Sequence, residues 1–200
     1  HRFSVWAPAA ITSVDVVLPA SGARHPMTPS PDGWWTAEVG EAGHGTDYAF
    51  SVDGGPPTPD PRSIWQPNGV HGPSRVFDPG LQEWTDTGWR GRDVLGALFY
   101  ELHVGTFTPE GTFDAAVRHL DHLVDLGVDV VELMPVAAFD GRHGWGYDGV
   151  DLHSVHEPYG GPGGLQRFVD TCHSRGLAVC LDVVFNHLGP SGNYLDRFGP

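Results

Sequence analysis

The chain has 200 residues, enough for one large domain or two small ones with a packed core, and a formal charge of −14 at pH 7. All 11 cations are arginine and none sits in a basic run, so neither nucleic acid nor an anionic membrane is expected as a partner. The 28 Gly and 18 Pro are interleaved with seven Trp and ten Phe, which suits a loop-rich globular protein and argues against disorder.

Residues 1–55 read as short strands between turn signals. Arg2 to Trp6 alternates and stops at Pro8, and Val14 to Leu18 leads into turn material around Ser21-Gly22. Trp34 to Val39 follows Asp32-Gly33, and Asp47 to Val52 closes at Asp53-Gly54-Gly55. Four strands at this spacing predict a small β-sandwich that buries its own core. Alternation puts Trp34 and Trp35 on opposite faces, so at least one belongs to that core.

Residues 56–93 are proline-rich and lack periodicity. Ile64, Trp65, Val76, Phe77, Trp84 and Trp89 supply too much apolar surface for a flexible linker, so an ordered, docked connector is expected.

From residue 94 the pattern changes to strand–helix alternation. Ala97 to Val104 reads as a strand. Phe113, Ala116, Val117, Leu120, Leu123 and Val124 recur at helical spacing behind Thr112, a good N-cap, and Gly127 ends that helix. Val128 to Leu133 is a second strand, followed by a long loop from Pro135 to about Gly163. A second helix carries Leu165, Phe168, Val169 and Cys172 and ends at Gly176. The apolar run from Leu177 to Val184 is a third strand, interrupted by Asp182 and followed by Asn186 and His187. This order predicts parallel βαβ architecture with right-handed crossovers. Cys172 and Cys180, without a CxxC pattern, read as reduced core residues.

The segments after parallel strands open on one face, where ligands bind. Three exist here, Gly105–Gly111, Pro135–Gly163 and Phe185–Pro200, and the middle one exceeds the usual loop length. It contains Gly141-Arg142-His143-Gly144-Trp145-Gly146-Tyr147-Asp148-Gly149, where aromatics between glycines suit a wall for a flat ligand. His143, His153, His156 and His187 raise a metal alternative, but no HExxH spacing supports it. Neither G-x-S-x-G nor a strand-to-helix G-x-G-x-x-G is present.

Asp182-Val183-Val184-Phe185-Asn186-His187 resembles the first sequence signature of the α-amylase superfamily of glycoside hydrolases. Tyr100 to Thr108, Glu132-Leu133-Met134-Pro135-Val136 and Trp145-Gly146-Tyr147-Asp148-Gly149 agree with the same superfamily. The run Gly189 to Tyr194 is similar to its trehalose-releasing members. Phe3 to Pro8 and Asp32 to Trp35 resemble the immunoglobulin-like module of related branching and debranching enzymes, in which Trp34 or Trp35 would be a sugar platform.

The resemblance implies an immunoglobulin-like β-sandwich (1–55), a docked connector (56–93) and the first three or so βα units of a TIM (β/α)8 barrel (94–200). Residues 94–200 fall short of the roughly 250 of a whole barrel. With a start at His1 and no initiating methionine, the chain is expected to be a fragment. The implied activity is a retaining hydrolysis of the α-1,4 bond beside the terminal trehalose of maltooligosyl trehalose, in trehalose biosynthesis. Such chemistry needs two carboxyl groups about 5–5.5 Å apart, on later strands of the superfamily barrel. No catalytic residue is therefore assigned within 1–200, and Asp182, Asp148 and Glu132 are not promoted to that role.

The substrate-binding candidates are Tyr147, matching a tyrosine that stacks on the sugar, His187, matching a histidine that bonds a hydroxyl of that sugar, Asp148 and Trp145. Asp182 and Asn186 are supporting; Asn186 matches a position that serves calcium in some amylases. No metal or cofactor is expected. The partner is maltooligosyl trehalose or a related α-glucan. No apolar run approaches the roughly eighteen residues of a membrane span, and a cytoplasmic location is expected. The alternatives are a branching or debranching enzyme of the same superfamily, or a non-catalytic carbohydrate-binding protein.

Overall fold

A computed structural model describes residues 1–200. The N-terminal part contains strands β1 (Arg2–Trp6), β2 (Val14–Leu18), β3 (Ala23–Pro26), β4 (Thr28–Pro29), β5 (Trp34–Glu38) and β6 (Asp47–Val52). A short β7 (Ser74–Arg75) is added from the connector. Two antiparallel sheets result, ordered β1-β5-β4 and β3-β2-β6-β7. Alternation along β1 turns Phe3 and Val5 inward and leaves Arg2 and Trp6 outside. Val5 faces Trp35 across the pair, and their core is closed by Val14, Val16 and Phe50 from the other sheet.

Two expectations are corrected here. The segment after Leu18 is not merely a turn: Ala23–Pro26 pairs with β2 and Thr28–Pro29 with β5. Nor does the module bury its core alone. Val76 and Phe198 both belong to that core, and Phe198, 2% exposed, stands edge-on to Phe50 at 6.3 Å between ring centres. Of the connector aromatics and aliphatics, Val76 is buried, whereas Ile64 and Trp84 remain substantially exposed. Trp65 donates its indole N–H to Glu157 Oε2 at 2.7 Å, tying the connector to the second half.

That second half holds three parallel strands, β8 (Phe99–Leu102), β9 (Val130–Leu133) and β10 (Ala178–Leu181), in the order β10-β9-β8. Helices α1 (Val104–Phe107), α2 (Phe113–Val117), α3 (Leu120–Asp125) and α4 (Gly161–Ser174) lie between them. The strands are shorter than their apolar runs. Val104 already starts α1, and Asp182 to Val184 lie beyond β10. Central β9 is covered, with Val130, Val131 and Leu133 buried, while β10 is half-exposed along its length. Cys180 on β10 is accordingly only part-buried, unlike Cys172; burial pushes the Cys172 thiol up to about 12.

The single helix expected from Phe113 to Val124 is two helices. Thr112 caps the first, its Oγ1 accepting from Ala115 N at 3.2 Å. The N–H groups of Arg118 and His119 then bond back three residues, to Ala115 and Ala116. This tight turn separates α2 from α3. After it Leu120 and Leu123 are fully buried and Val124 is exposed. The core of this half packs Phe113 against Phe168 of α4, with Leu102 and Leu133 beside them. Burying each of these phenylalanines contributes on the order of 1.5–3 kcal/mol. No helix is long and apolar enough to cross a membrane.

Candidate functional site

Because β8, β9 and β10 are parallel, the segments that follow them share one side of the sheet. The middle segment has its own scaffold. Met134 N–H bonds Leu102 O at 3.0 Å, His156 N–H bonds Val136 O at 2.8 Å, and Ala138 bridges Asp151. Phe139 and the buried His156 stack at 3.8 Å between ring centres, and burial lowers the His156 pKa to about 4, so its ring is neutral near pH 7. On this base the stretch 141–149 is carried outward.

Two glycines make the loops meet. Gly146 has φ +90°, and a Cβ there would lie 2.2 Å from Pro135 O. At Gly189 a Cβ would lie 2.1 Å from Asp148 O, while its N–H donates to Gly149 O at 3.1 Å. The backbone of the third segment thus lies directly on that of the second, and no larger residue allows this approach.

The consequence is a three-residue unit. Tyr147 Oη donates to Asp182 Oδ2 at 3.3 Å, and His187 Nε2 sits 2.9 Å from Tyr147 O. A carbonyl only accepts, so Nε2 carries the proton, and in the neutral ring Nδ1 keeps a free lone pair for an outside donor. Partial burial, and next the Asp182 charge, raise the Tyr147 hydroxyl above its ordinary value, so it stays a donor. Asp182 is not the buried strand carboxylate that the apolar run suggested. It is half-exposed, one residue past β10, with its N–H on Leu133 O.

The remaining candidates are more dispersed. Trp145 is 78% exposed and lines a cavity of about 550 Å³ with His103, Arg142, His143 and Tyr159. Asn186 and His187 line a different one of about 500 Å³, together with Trp6, Arg62, His153 and Phe185. Asp148 is exposed and contributes its backbone to the contact with Gly189. Trp35 is core, its indole bonded to Ala7 O at 3.2 Å, and Trp34 is covered by the Arg62 guanidinium at 5.1 Å. No three His, Cys, Asp or Glu side chains converge as a metal-ligating set.

Sequence reasoning missed His103. Its Nε2 bonds Gly144 O at 2.8 Å and so pins the middle loop from β8. Its signal was position, immediately after a strand, as for Asp182.

Comparison with known proteins identifies the family. Residues 71–198 match the family model of the alpha amylase catalytic domain. Residues 1–66 match carbohydrate-binding module 48, the isoamylase N-terminal domain. The chain belongs to the alpha-amylase family. It is 60% identical over its whole length to the malto-oligosyltrehalose trehalohydrolase of Arthrobacter ramosus, of which it covers 35%. Among solved structures, a Salmonella typhimurium protein described as a candidate alpha amylase is 47% identical with a TM-score of 0.94, covering 100% of this chain and 34% of that one. Type I pullulanase of Bacillus subtilis, solved with maltose, is 26% identical with a TM-score of 0.82, again covering 100% of this chain and 34% of its own. The chain therefore spans about a third of the length of these relatives.

Proposed function

We propose that this chain is the substrate-positioning part of a retaining glycoside hydrolase that cleaves the α-1,4 bond next to the terminal trehalose of maltooligosyl trehalose. The observation that carries the reading is the Tyr147–Asp182–His187 unit at the ends of parallel strands. A fixed phenol ring offers a stacking face, and His187 Nδ1 offers an acceptor for a sugar hydroxyl beside it. The identity with the Arthrobacter ramosus enzyme supports the particular substrate. In this reading residues 94–200 are the opening βα units of a (β/α)8 barrel, Asp148 and Trp145 extend the sugar-binding surface, and Asn186 supports the site from the cavity it lines with His187. The nucleophile and the acid/base carboxylates come from later strands.

The test uses the longer protein that carries this chain. Incubated with maltooligosyl trehalose it should release trehalose. His187→Ala should lower kcat/KM by roughly tenfold to a thousandfold, through loss of a positioned hydrogen bond, with little change in thermal stability because the side chain is exposed. Branch transfer or debranching of α-glucan without trehalose release would move the protein to the alternative activity. Near-normal kinetics of His187→Ala would remove that residue from the site.

A further inference from the structure

His71, in the connector, takes no part in the site described above, yet it meets both of the loops that build it. It stands in a tight turn. Gly72 N–H donates to Gly69 O at 3.0 Å, which makes Val70 and His71 the two central residues. Val70 is 2% exposed and packs with Ala138 and Val150 of the middle loop. Gly192 of the third segment lies against the same side chain: it has φ +90°, and a Cβ there would sit 2.4 Å from Val70 Cγ2. The turn is therefore seated on both loops before His71 makes any bond.

The imidazole is bonded at both nitrogens. Nδ1 lies 2.7 Å from Tyr194 Oη and Nε2 lies 3.1 Å from Ser191 Oγ. Ser191 Oγ in turn donates to Asp140 Oδ2 of the middle loop at 2.8 Å. The direction of each bond follows from the groups. An ionised carboxylate only accepts, so the single hydroxyl proton of Ser191 points at Asp140, and Ser191 Oγ accepts from His71 Nε2–H. In the neutral ring Nδ1 is then a lone pair and accepts from the Tyr194 hydroxyl. Serine, histidine and aspartate are the residue types of a hydrolytic triad, but here the serine donates to the carboxylate and not to the imidazole, so no nucleophile is activated.

What this chain of bonds joins is the seam on which the Tyr147 unit depends. Along the third segment, His187 Nε2 meets Tyr147 O, Gly189 N–H meets Gly149 O, and Ser191 meets Asp140. His71 bonds the last of these contacts and, through Tyr194, the chain beyond it. All of its bonds are solvent-exposed, so each adds little to global stability and the consequence is local.

We propose that His71 is a positioning residue: from the connector it holds residues 189–194 against the middle loop, and so keeps His187 Nε2 on the Tyr147 carbonyl with Nδ1 free for the sugar. This role rests on the function proposed above. It is exerted through His187, since His71 bonds neither His187 nor Tyr147 itself.

The experiment uses the longer protein and has two arms. Without ligand, hydrogen exchange is followed in the peptide spanning residues 186–195. His71→Ala should speed exchange there by at least about tenfold, with Tm little changed. On maltooligosyl trehalose the same variant should lower kcat/KM by roughly three- to thirtyfold. Combined with His187→Ala it should cost no more than His187→Ala alone, because the two changes remove one interaction. His71→Gln, whose amide offers one donor and one acceptor, should restore most of both properties. Unchanged exchange in His71→Ala would overturn the proposal, as would losses that multiply in the double variant or a His71→Gln no better than His71→Ala. Should His71→Ala fail to fold, Ser191→Ala, which breaks the chain within the third segment, should speed exchange in the same peptide; unchanged exchange there would equally overturn it. A longer protein that releases no trehalose refutes the function proposed above, and the exchange arm alone then decides whether His71 holds the segment.

Discussion

Tyr147 is held at both ends. Its carbonyl accepts a hydrogen bond from His187 Nε2–H and its hydroxyl donates to Asp182. The hydroxyl bond is long and solvent-exposed, so losing it should have only a small effect on the rate. Losing the ring removes the surface on which a sugar would lie. Tyr147→Phe should therefore retain most of kcat/KM and Tyr147→Ala should lose much more. Steady-state kinetics on maltooligosyl trehalose decide it, and equal losses would mean that the hydroxyl, not the ring, does the positioning. The sequence singled out His187 because it follows the strand-like run Leu177 to Val184, and Tyr147 because it lies in the long aromatic–glycine loop, while the role expected of each came from the resemblance. Their mutual hydrogen bond was not legible there. It depends on Gly146 and Gly189 letting two backbones touch, a tertiary fact with no local signal.

The long middle loop is the element that carries the site, and its weak point is the His156 ring stacked on Phe139. His156 has a folded-state pKa of about 4 against an ordinary 6.5. The unfolded chain therefore binds the extra proton first. Stability from this residue is complete above pH 6.5 and is lost as the pH falls toward about 4. His156→Phe keeps the stack and removes the titration. Denaturant unfolding at about pH 7 and about pH 5 should show a smaller loss of stability in the variant than in the parent. Identical losses would assign the acid sensitivity to other groups. Element types were well read from periodicity, since Val130–Leu133 and the α4 face around Phe168 are unmistakably apolar. Boundaries were not. The break at Arg118-His119 contains neither Gly nor Pro, and β3 and β4 are too short and polar for alternation to show.

At the scale of the whole molecule, β8 and β10 each have a neighbour on one side only. Leu98, Phe99 and Leu181 are exposed beside those edges. Free edges with apolar flanks invite pairing with other copies. Residues 1–200 expressed alone are thus expected to aggregate or order only in part, and to release no trehalose above a no-protein blank. Turnover above that blank would place the reacting carboxylates inside this stretch. The two halves are nonetheless bound together through the sandwich core. Phe198 is a plug, and the socket belongs to strands that precede it by nearly the whole chain. A ribosome making this protein delivers the sandwich strands well before this core residue. The module's core is then completed only when the third segment docks, and a calorimeter should see the two melt together.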